Sequence, residues 1–238
     1  MRQLDYSDNP ERMFETEPAA PVSSASGSAS ATYDERLNRI LETATQVIAD
    51  VGYERASMRA VSRAAKVSLA GLYYYFPNKE RMLFLIQYRT FNALLNKLRE
   101  KLHGIDDPQH QLRIMVRTHL GYFAANMAAL KVCSHELDSL SGPSFEETLR
   151  IRREYYQVVR AIVDRLLAGN GQSSTLDGHV ATMALFGMLN WLYRWYDPKH
   201  GRAPAAVANQ FAAQFLSGLQ GAPADNGAAD APASGADA

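Results

Sequence analysis

The spacing of apolar and polar positions along the chain is helical. Apolar residues recur every three or four positions, and no sustained alternation of apolar and polar residues competes with that spacing. A spacing of three and four places side chains on one face of an α-helix, whereas a half-buried strand needs a period of two. The pattern predicts an all-α protein of about nine helices.

Capping residues, glycines and prolines set the expected ends of these helices. A capping box of Thr32 and Glu35 is expected to open the first helix, which Gly52 ends. Ser57 and Ser68 are expected to cap two short helices that follow. The remaining helices are expected over residues 78–102, 107–129, 130–140, 143–169, 175–196 and 204–219.

Composition divides the chain into tails and a folded body. Residues 19–31 consist almost entirely of Ala, Ser, Pro and Gly, and the end from residue 221 is rich in Ala, Gly and Asp. Such segments have too little apolar surface to offset the entropy lost on ordering. We therefore expect disordered tails at residues 1–33 and 221–238, and two domains at residues 34–94 and 95–220.

Overall composition indicates a soluble globular protein. The 238 residues are 47% hydrophobic and 21% charged, and the single cysteine, Cys133, has no partner for an internal disulfide. The chain opens without a secretory signal pattern, and no apolar stretch reaches the roughly 18 residues of a membrane span. A cytoplasmic location is therefore expected.

Charge is segregated along the chain although the formal net charge is zero. Residues 34–101 carry +5, residues 102–220 carry +1, and each of the tails 1–33 and 221–238 carries −3. A compact basic module near the start of the chain is typical of a phosphate-binding surface.

The two short helices at residues 57–76 have the dimensions of a helix-turn-helix motif, whose second helix enters the major groove of DNA. Small residues at its leading turn let the backbone approach DNA, and exposed tyrosines can reach phosphates and thymine methyl groups. A helical hairpin with a solvated basic face is the alternative. The predicted DNA-contacting residues are Arg55, Ser57, Arg59, Ser68, Leu69, Ala70, Gly71, Tyr73, Tyr74 and Lys79.

The stretch SMRAVSRAAKVSLAGLYYYFPNKE over residues 57–80 resembles the DNA-binding signature of the TetR (tetracycline-repressor) family of transcriptional regulators. The resemblance implies a three-helix DNA-binding domain followed by a larger helical domain for ligand binding and dimerisation. Lys66 stands where the family usually has a turn glycine, which predicts an uncommon backbone dihedral at this residue. Ala70 and Gly71 replace a frequent Gly-Thr or Gly-Ser, which removes one hydroxyl.

The last two long helices carry the residues expected at a dimer interface. The helix over residues 175–196 is apolar nearly all round, and small residues beside the stripe of the last helix allow close approach. Two such helices from each subunit form a four-helix interface about a two-fold axis, which is the usual dimer of the family. In the alternative, both helices complete the core of a monomer.

Polar groups that interrupt apolar stripes suggest a ligand pocket. Arg152 interrupts one such stripe, and a buried arginine needs an anion. In the alternative, each polar group is satisfied by a protein neighbour. The predicted ligand-binding residues are His119, Phe123, Arg152, Tyr156, Met183, Phe186, Asn190 and Trp191.

The stretch NWLYRWYDPKHG over residues 190–201 resembles a motif of TetR members that control fatty-acid, sterol or aromatic-acid catabolism. Several of those members respond to acyl-coenzyme A thioesters, so the resemblance implies an amphipathic anion, such as an acyl-coenzyme A, as effector. The predicted function is a cytoplasmic homodimeric regulator, most simply a repressor, which such a ligand releases from a palindromic operator. The alternative is a helical protein-interaction module without sequence-specific DNA binding.

Catalysis is not expected from this sequence. Cys133, Ser134, His135, Glu136 and Asp138 cluster along the chain, but adjacent residues on a helix point in different directions. No nucleophile elbow, paired-carboxylate site or complete zinc motif accompanies them. We therefore predict no enzyme activity, no cofactor, no metal site and no membrane partner.

Overall fold

The computed structural model describes residues 27–169 and 176–220, with side chains for 33–169 and 176–219. In these residues the chain forms nine α-helices and no strand, which confirms the predicted all-α fold. The helices are α1 (Gly27–Val51), α2 (Met58–Ala64), α3 (Leu69–Tyr75), α4 (Lys79–Leu102), α5 (Pro108–Ala125), α6 (Met127–His135), α7 (Gly142–Gly169), α8 (Gly178–Asn190) and α9 (Pro204–Gln220). Short 3-10 turns lie at Leu137–Ser139 and Trp191–Arg194.

The start of α1 differs from the prediction. The helix begins at Gly27, so Thr32 lies inside it and the expected capping box does not open it. Residues 27–33, which were assigned to a disordered tail, are helical, because Ala and Ser extend an existing helix at little cost. The rest of the predicted N-terminal tail and the whole of residues 221–238 lie outside the described residues.

Two other helix ends also differ. Helix α5 ends at Ala125, four residues before the expected end, and α6 starts after Asn126.

Helix α8 is capped by the carboxylate of Asp177, which accepts a hydrogen bond from the Val180 amide at 2.8 Å. After Asn190 the chain tightens into a 3-10 turn, so the α-helix predicted to reach residue 196 stops earlier. The expected start at Thr175 lies outside the described residues.

The chain divides into two compact units. Among the described residues, the first unit comprises 27–97 and 122–156, and the second comprises 98–121, 157–169 and 176–220. The first unit thus contains α1 to α3, most of α4, all of α6 and the first half of α7. None of the described helices is long and apolar enough to cross a membrane.

The core of the first unit fixes the helix-turn-helix pair. Helix α1 buries Leu37, Ile40, Leu41, Ala44 and Ile48, and α2, α3 and α4 each bury residues in the same apolar cluster. Val61 of α2, Leu72 of α3 and Phe76 after α3 have no exposed surface. Fully buried side chains on both short helices hold the pair in one arrangement, so the outer face of α3 is presented on a rigid support.

The core of the second unit is built from α5, α8, α9 and the second half of α7. The buried apolar residues include Leu112, Met115 and Val116 on α5, Val159 and Val163 on α7, Leu185 and Leu189 on α8, and Ala208 and Leu216 on α9. Polar contacts at the surface add to this packing. Arg165 on α7 donates to Gln111 on α5 at 2.9 Å, and Arg117 donates to Asn209 on α9 at 2.8 Å.

Candidate nucleic-acid interface

Serine side chains cap both helices of the helix-turn-helix pair. Ser57 accepts a hydrogen bond from the Ala60 amide at 3.1 Å, and Ser68 accepts one from the Gly71 amide at 3.0 Å. A hydroxyl that accepts in this way keeps its own hydrogen as a donor. Both serines are exposed at helix N-termini, where anions are favoured, so each retains a donor for a phosphate oxygen.

The recognition helix α3 separates a buried face from an exposed one. Leu72 and the following Phe76 are fully buried, while Tyr73 and Tyr74 are 48% and 74% exposed, as the spacing predicts. The ring of Tyr33 on α1 stacks on Tyr75 at 5.0 Å and meets the edge of Tyr74 at 6.2 Å. Tyr74 is thus oriented by aromatic neighbours. The contact of Tyr73 and Tyr74 with DNA stays a prediction.

The first turn of α3 is small but not wholly exposed. Ala70 is exposed, whereas Leu69 is half-buried and packs against the core of the first unit. A Cβ at Gly71 would lie 3.0 Å from the Ser68 hydroxyl, so glycine keeps the capping hydroxyl uncrowded. Leu69 was predicted to contact DNA, but its packing leaves only part of its side chain available for that role.

Lys79 is more constrained than the sequence suggests. Its ammonium donates to the carbonyl oxygens of Tyr53 at 3.0 Å and Glu54 at 3.4 Å, and lies 4.1 Å from the centre of the Tyr53 ring. It therefore fastens the start of α4 to the loop between α1 and α2. An ammonium has three hydrogens, so one remains for the predicted phosphate contact.

The arginines of the module are exposed. Arg55 donates to the Val51 carbonyl at 2.8 Å, which closes the end of α1, and Arg59 lies on the outer surface of α2. The sequence interpretation did not select Arg36 and Arg39 on α1, which line a cavity together with Lys66. Their three-residue spacing on one helix face was the available signal.

Two family models match the chain. The model "Bacterial regulatory proteins, tetR family" matches residues 40–86, and "Tetracyclin repressor-like, C-terminal domain" matches residues 106–219. The chain belongs to the TetR family. The TetR resemblance read from residues 57–80 is therefore confirmed, and the chain is a DNA-binding transcriptional regulator rather than an enzyme.

TetR-family relatives and structures agree with this assignment. The HTH-type transcriptional activator FasR of Mycolicibacterium smegmatis is 24% identical over 156 residues, which cover 66% of this chain and 68% of FasR. The crystal structure of PfmR from Thermus thermophilus is 29% identical, with a TM-score of 0.67 over 75% of this chain and 97% of PfmR. AibR, crystallised with isovaleryl coenzyme A and operator DNA, is 26% identical, with a TM-score of 0.66 over 77% and 97%.

In the first unit, the side chain of Arg152 contacts other residues of this TetR-family protein. Its guanidinium donates to the carbonyl oxygen of Cys133 at 2.9 Å and to Gln87 Oε1 at 3.4 Å, and lies 4.8 Å from the centre of the Phe91 ring. Arg152 is only half-buried. The two neutral oxygens therefore satisfy part of the hydrogen bonding that the sequence assigned to an anion. Phe123 and Tyr156, also predicted to bind ligand, are buried.

Arg150 does not join Arg152 as a second cation for a ligand. Its guanidinium forms ion pairs with Glu147 and Glu154 along the exposed side of α7. The hydrogen bond to Glu147 raises the pKa of Arg150 and lowers that of Glu147. Arg150 is therefore paired with carboxylates of its own helix rather than available to a ligand anion.

In the second unit, three of the predicted ligand-binding residues lie together. His119 is buried, its ring centre lies 6.2 Å from that of Phe186, and its side chain is hydrogen-bonded to Asn190. Burial lowers the pKa of His119 to about 3, so its imidazole is neutral at physiological pH. Met183 and Trp191, by contrast, are exposed on the outer side of α8 and the turn that follows it.

Cys133 is a buried core residue and lacks the features of a reactive or metal-binding cysteine. The thiol is buried, and burial raises its pKa to about 11, which keeps it protonated. Among the residues described, no three His, Cys, Asp or Glu side chains converge as a metal site would require. The backbone carbonyl of Cys133, not its thiol, makes the polar contact here, since it accepts a hydrogen bond from Arg152.

Proposed function

We propose that this TetR-family regulator is a cytoplasmic homodimeric repressor, which an amphipathic anion of the acyl-coenzyme A class releases from a palindromic operator. The observation that carries the DNA-binding part is the outer face of α3, where Tyr73 and Tyr74 are exposed above a buried Leu72. Residues 34–94 form the DNA-binding domain in this proposal, and residues 95–220 bind ligand and the second subunit.

The surface of α8 supports the homodimer. Val180 is 64% exposed and Trp191 is 58% exposed, and Met183 lies between them on the same side of the helix. Ala184 and Gly187 on this side are also exposed and allow a second helix to approach closely. A contiguous apolar stripe of this kind is costly in water and is typical of a protein interface. A second copy of α8 and α9 would cover it.

Two observations support the acyl-coenzyme A proposal. AibR, which shares the fold over most of both chains, was crystallised with isovaleryl coenzyme A. In the present chain Arg152 is a cation with an aromatic neighbour, Phe91, beside the buried Tyr155. A cation next to apolar surface suits a ligand that has both a charged group and a hydrocarbon part.

A chain of hydrogen bonds in the first unit connects Arg152 with the DNA-binding helices. Arg152 donates to the Cys133 carbonyl on α6, and Gln87 on α4 donates to the Glu136 carbonyl at 3.0 Å. The carboxylate of Glu136 accepts from the Tyr53 amide at 3.1 Å, and the Tyr53 carbonyl accepts from Lys79. A ligand anion that draws Arg152 away from α6 would weaken the contact that holds the loop before α2.

The direct test is calorimetry with isovaleryl, medium-chain and long-chain acyl-coenzyme A thioesters. At least one thioester is expected to bind at micromolar concentration and to reduce the protein's affinity for operator DNA. By linkage, operator DNA should reduce the protein's affinity for that thioester by the same factor. Arg152→Ala should lose this binding, whereas Arg150→Ala, whose side chain is exposed and paired with glutamates, should keep it. Absence of binding by every thioester would contradict the ligand proposal and leave DNA binding unaffected.

Activation is the second candidate, because FasR is named a transcriptional activator. Transcription in vitro from the promoter of the gene that encodes this protein separates the two functions. A repressor lowers transcript yield when it is added, and the effector restores the yield. A protein-dependent rise in yield would instead support activation.

A further inference from the structure

A cationic groove lies beside the turn of the helix-turn-helix motif. The cavity measures about 440 Å³ and is lined by one face of α1, the end of α2 and the turn that follows it. Three of its lining residues are cations, namely Arg36, Arg39 and Lys66. Glu42 is the single acidic residue in the lining, so the groove carries a net positive charge.

The three cations are available to an outside anion. All three side chains are exposed, and no ion pair within 4.0 Å involves them in the described part of the chain. Two other arginines of the first unit are already bonded, Arg55 to the Val51 carbonyl and Arg89 to the Asn38 amide oxygen. Three cations beside a single carboxylate, that of Glu42, leave an excess of positive charge, so an anion would stabilise this arrangement.

The backbone at Lys66 supports a role for its side chain. Lys66 is the one described non-glycine residue with a positive φ, +54°. A glycine would adopt this conformation at lower cost, since a Cβ in the left-handed region is strained. The lysine thus costs stability at the point where the chain turns from α2 into the recognition helix, and its charge points to a function that offsets this cost.

We propose that Arg36, Arg39 and Lys66 bind a phosphodiester group of the DNA backbone beside the major groove that α3 enters. This contact adds to those predicted for Ser57, Ser68 and Lys79. Guanidinium and ammonium groups are charge-assisted donors to phosphate oxygens. The groove reads no base, so it raises affinity without changing sequence preference.

The test is the salt dependence of binding to a generic 24-base-pair DNA duplex, measured by fluorescence anisotropy. Each phosphate contact contributes about 0.9 to the slope of log affinity against log salt concentration. Because the three cations share one phosphate, Lys66→Gly and the Arg36→Ala, Arg39→Ala double variant should each lower the slope by up to about 0.9. Lys66→Gly suits the positive φ, so its loss of binding cannot be attributed to unfolding.

Three controls make the result specific. Lys66→Arg keeps the charge and should keep the slope, and Arg113→Ala, an exposed cation on α5, should also leave it unchanged. Tyr73→Ala should lower affinity for the operator without changing the slope, which separates this site from the recognition helix. Wild-type slopes in both the Lys66→Gly protein and the double arginine variant would overturn the proposal.

A parallel titration with inorganic pyrophosphate distinguishes DNA from a free anion. Under the proposal, pyrophosphate competes only weakly with DNA. Wild-type protein and Lys66→Gly should then differ little in their binding of micromolar pyrophosphate. Tight pyrophosphate binding that is lost in Lys66→Gly, together with an unchanged DNA slope, would assign the groove to a free phosphate ligand and overturn the DNA contact.

Discussion

Lys66 shows at the scale of one residue how sequence and backbone are linked. Its position in place of the family's turn glycine predicted an uncommon dihedral, and its φ of +54° confirms this. We predict that Lys66→Gly stabilises the protein by about 1 kcal/mol, because relief of the left-handed strain exceeds the added entropy of glycine in the unfolded chain. Urea unfolding followed by circular dichroism measures this, with Lys66→Ala, which keeps the Cβ, as the control. Equal stability of the two variants would contradict the strain.

His119 gives a pH-dependent prediction. Its pKa is about 3 in the folded protein and near 6.5 in the unfolded chain, so between these values the unfolded state binds the extra proton. This contribution to stability is complete above pH 6.5 and is lost at about 1.4 kcal/mol per pH unit as the pH falls toward 3. His119→Gln should remove that slope. Urea denaturation of both proteins between pH 7 and pH 4 tests it, and parallel stability curves would contradict the neutral buried imidazole.

Other residues show why side-chain roles were harder to predict than positions. The sequence placed Arg152 on an apolar stripe, but its partner, the Cys133 carbonyl, comes from a different helix and is set by tertiary packing. In the same way, the alternation of buried and exposed residues on α3 followed from spacing, while the carbonyl partners of Lys79 did not. Local periodicity carries no information about contacts between distant segments.

At the scale of the element, α3 carries the prediction for DNA recognition. Tyr73→Ala should weaken operator binding by about 1 to 2 kcal/mol, the range of a single groove or phosphate contact. The ring makes no ring-stacking contact in the described residues, so thermal stability should stay near that of wild type. Gel-shift titration measures the affinity, with Tyr33→Phe, which keeps its aromatic stacking, as the control. Unchanged affinity in Tyr73→Ala would remove Tyr73 from the interface.

Lys79 requires a different expectation because it also supports the fold. Lys79→Ala should lower operator affinity by about 1 to 2 kcal/mol, and it should also destabilise the protein, since the Tyr53 and Glu54 carbonyls lose a donor. Thermal unfolding measured beside the gel shift separates the two effects. Loss of stability with unchanged DNA affinity would leave Lys79 a purely structural role.

Helix ends were the least predictable part of each element. Capping by Ser57 and Ser68 was predicted correctly, because serine is strongly preferred at the position before the first turn of a helix. Thr32 failed as a cap because the helix simply continues upstream of it. Capping preference is smaller than the gain from extending a helix that tertiary packing already holds.

At the scale of the whole molecule, the exposed apolar side of α8 predicts the oligomeric state. Val180→Asp should shift the protein from dimer to monomer, because an unpaired charge buried at an interface costs about 3 kcal/mol, or roughly a hundredfold in the dissociation constant. Sedimentation velocity at micromolar concentration measures this, with Gln157→Asp on an exposed position of α7 as the control. Retention of the dimer by Val180→Asp would place the interface elsewhere.

In the proposed dimer, two copies of the helix-turn-helix motif read a palindromic operator. DNase footprinting on the promoter region of the gene that encodes this protein tests operator recognition. We expect protection of a two-fold symmetric site, whose half-sites lie about one helical turn, roughly 34 Å, or a small multiple of it apart. Protection should be lost with Tyr73→Ala at the same protein concentration. A footprint without two-fold symmetry, or no protected site at concentrations that saturate generic DNA, would contradict operator recognition by a dimer.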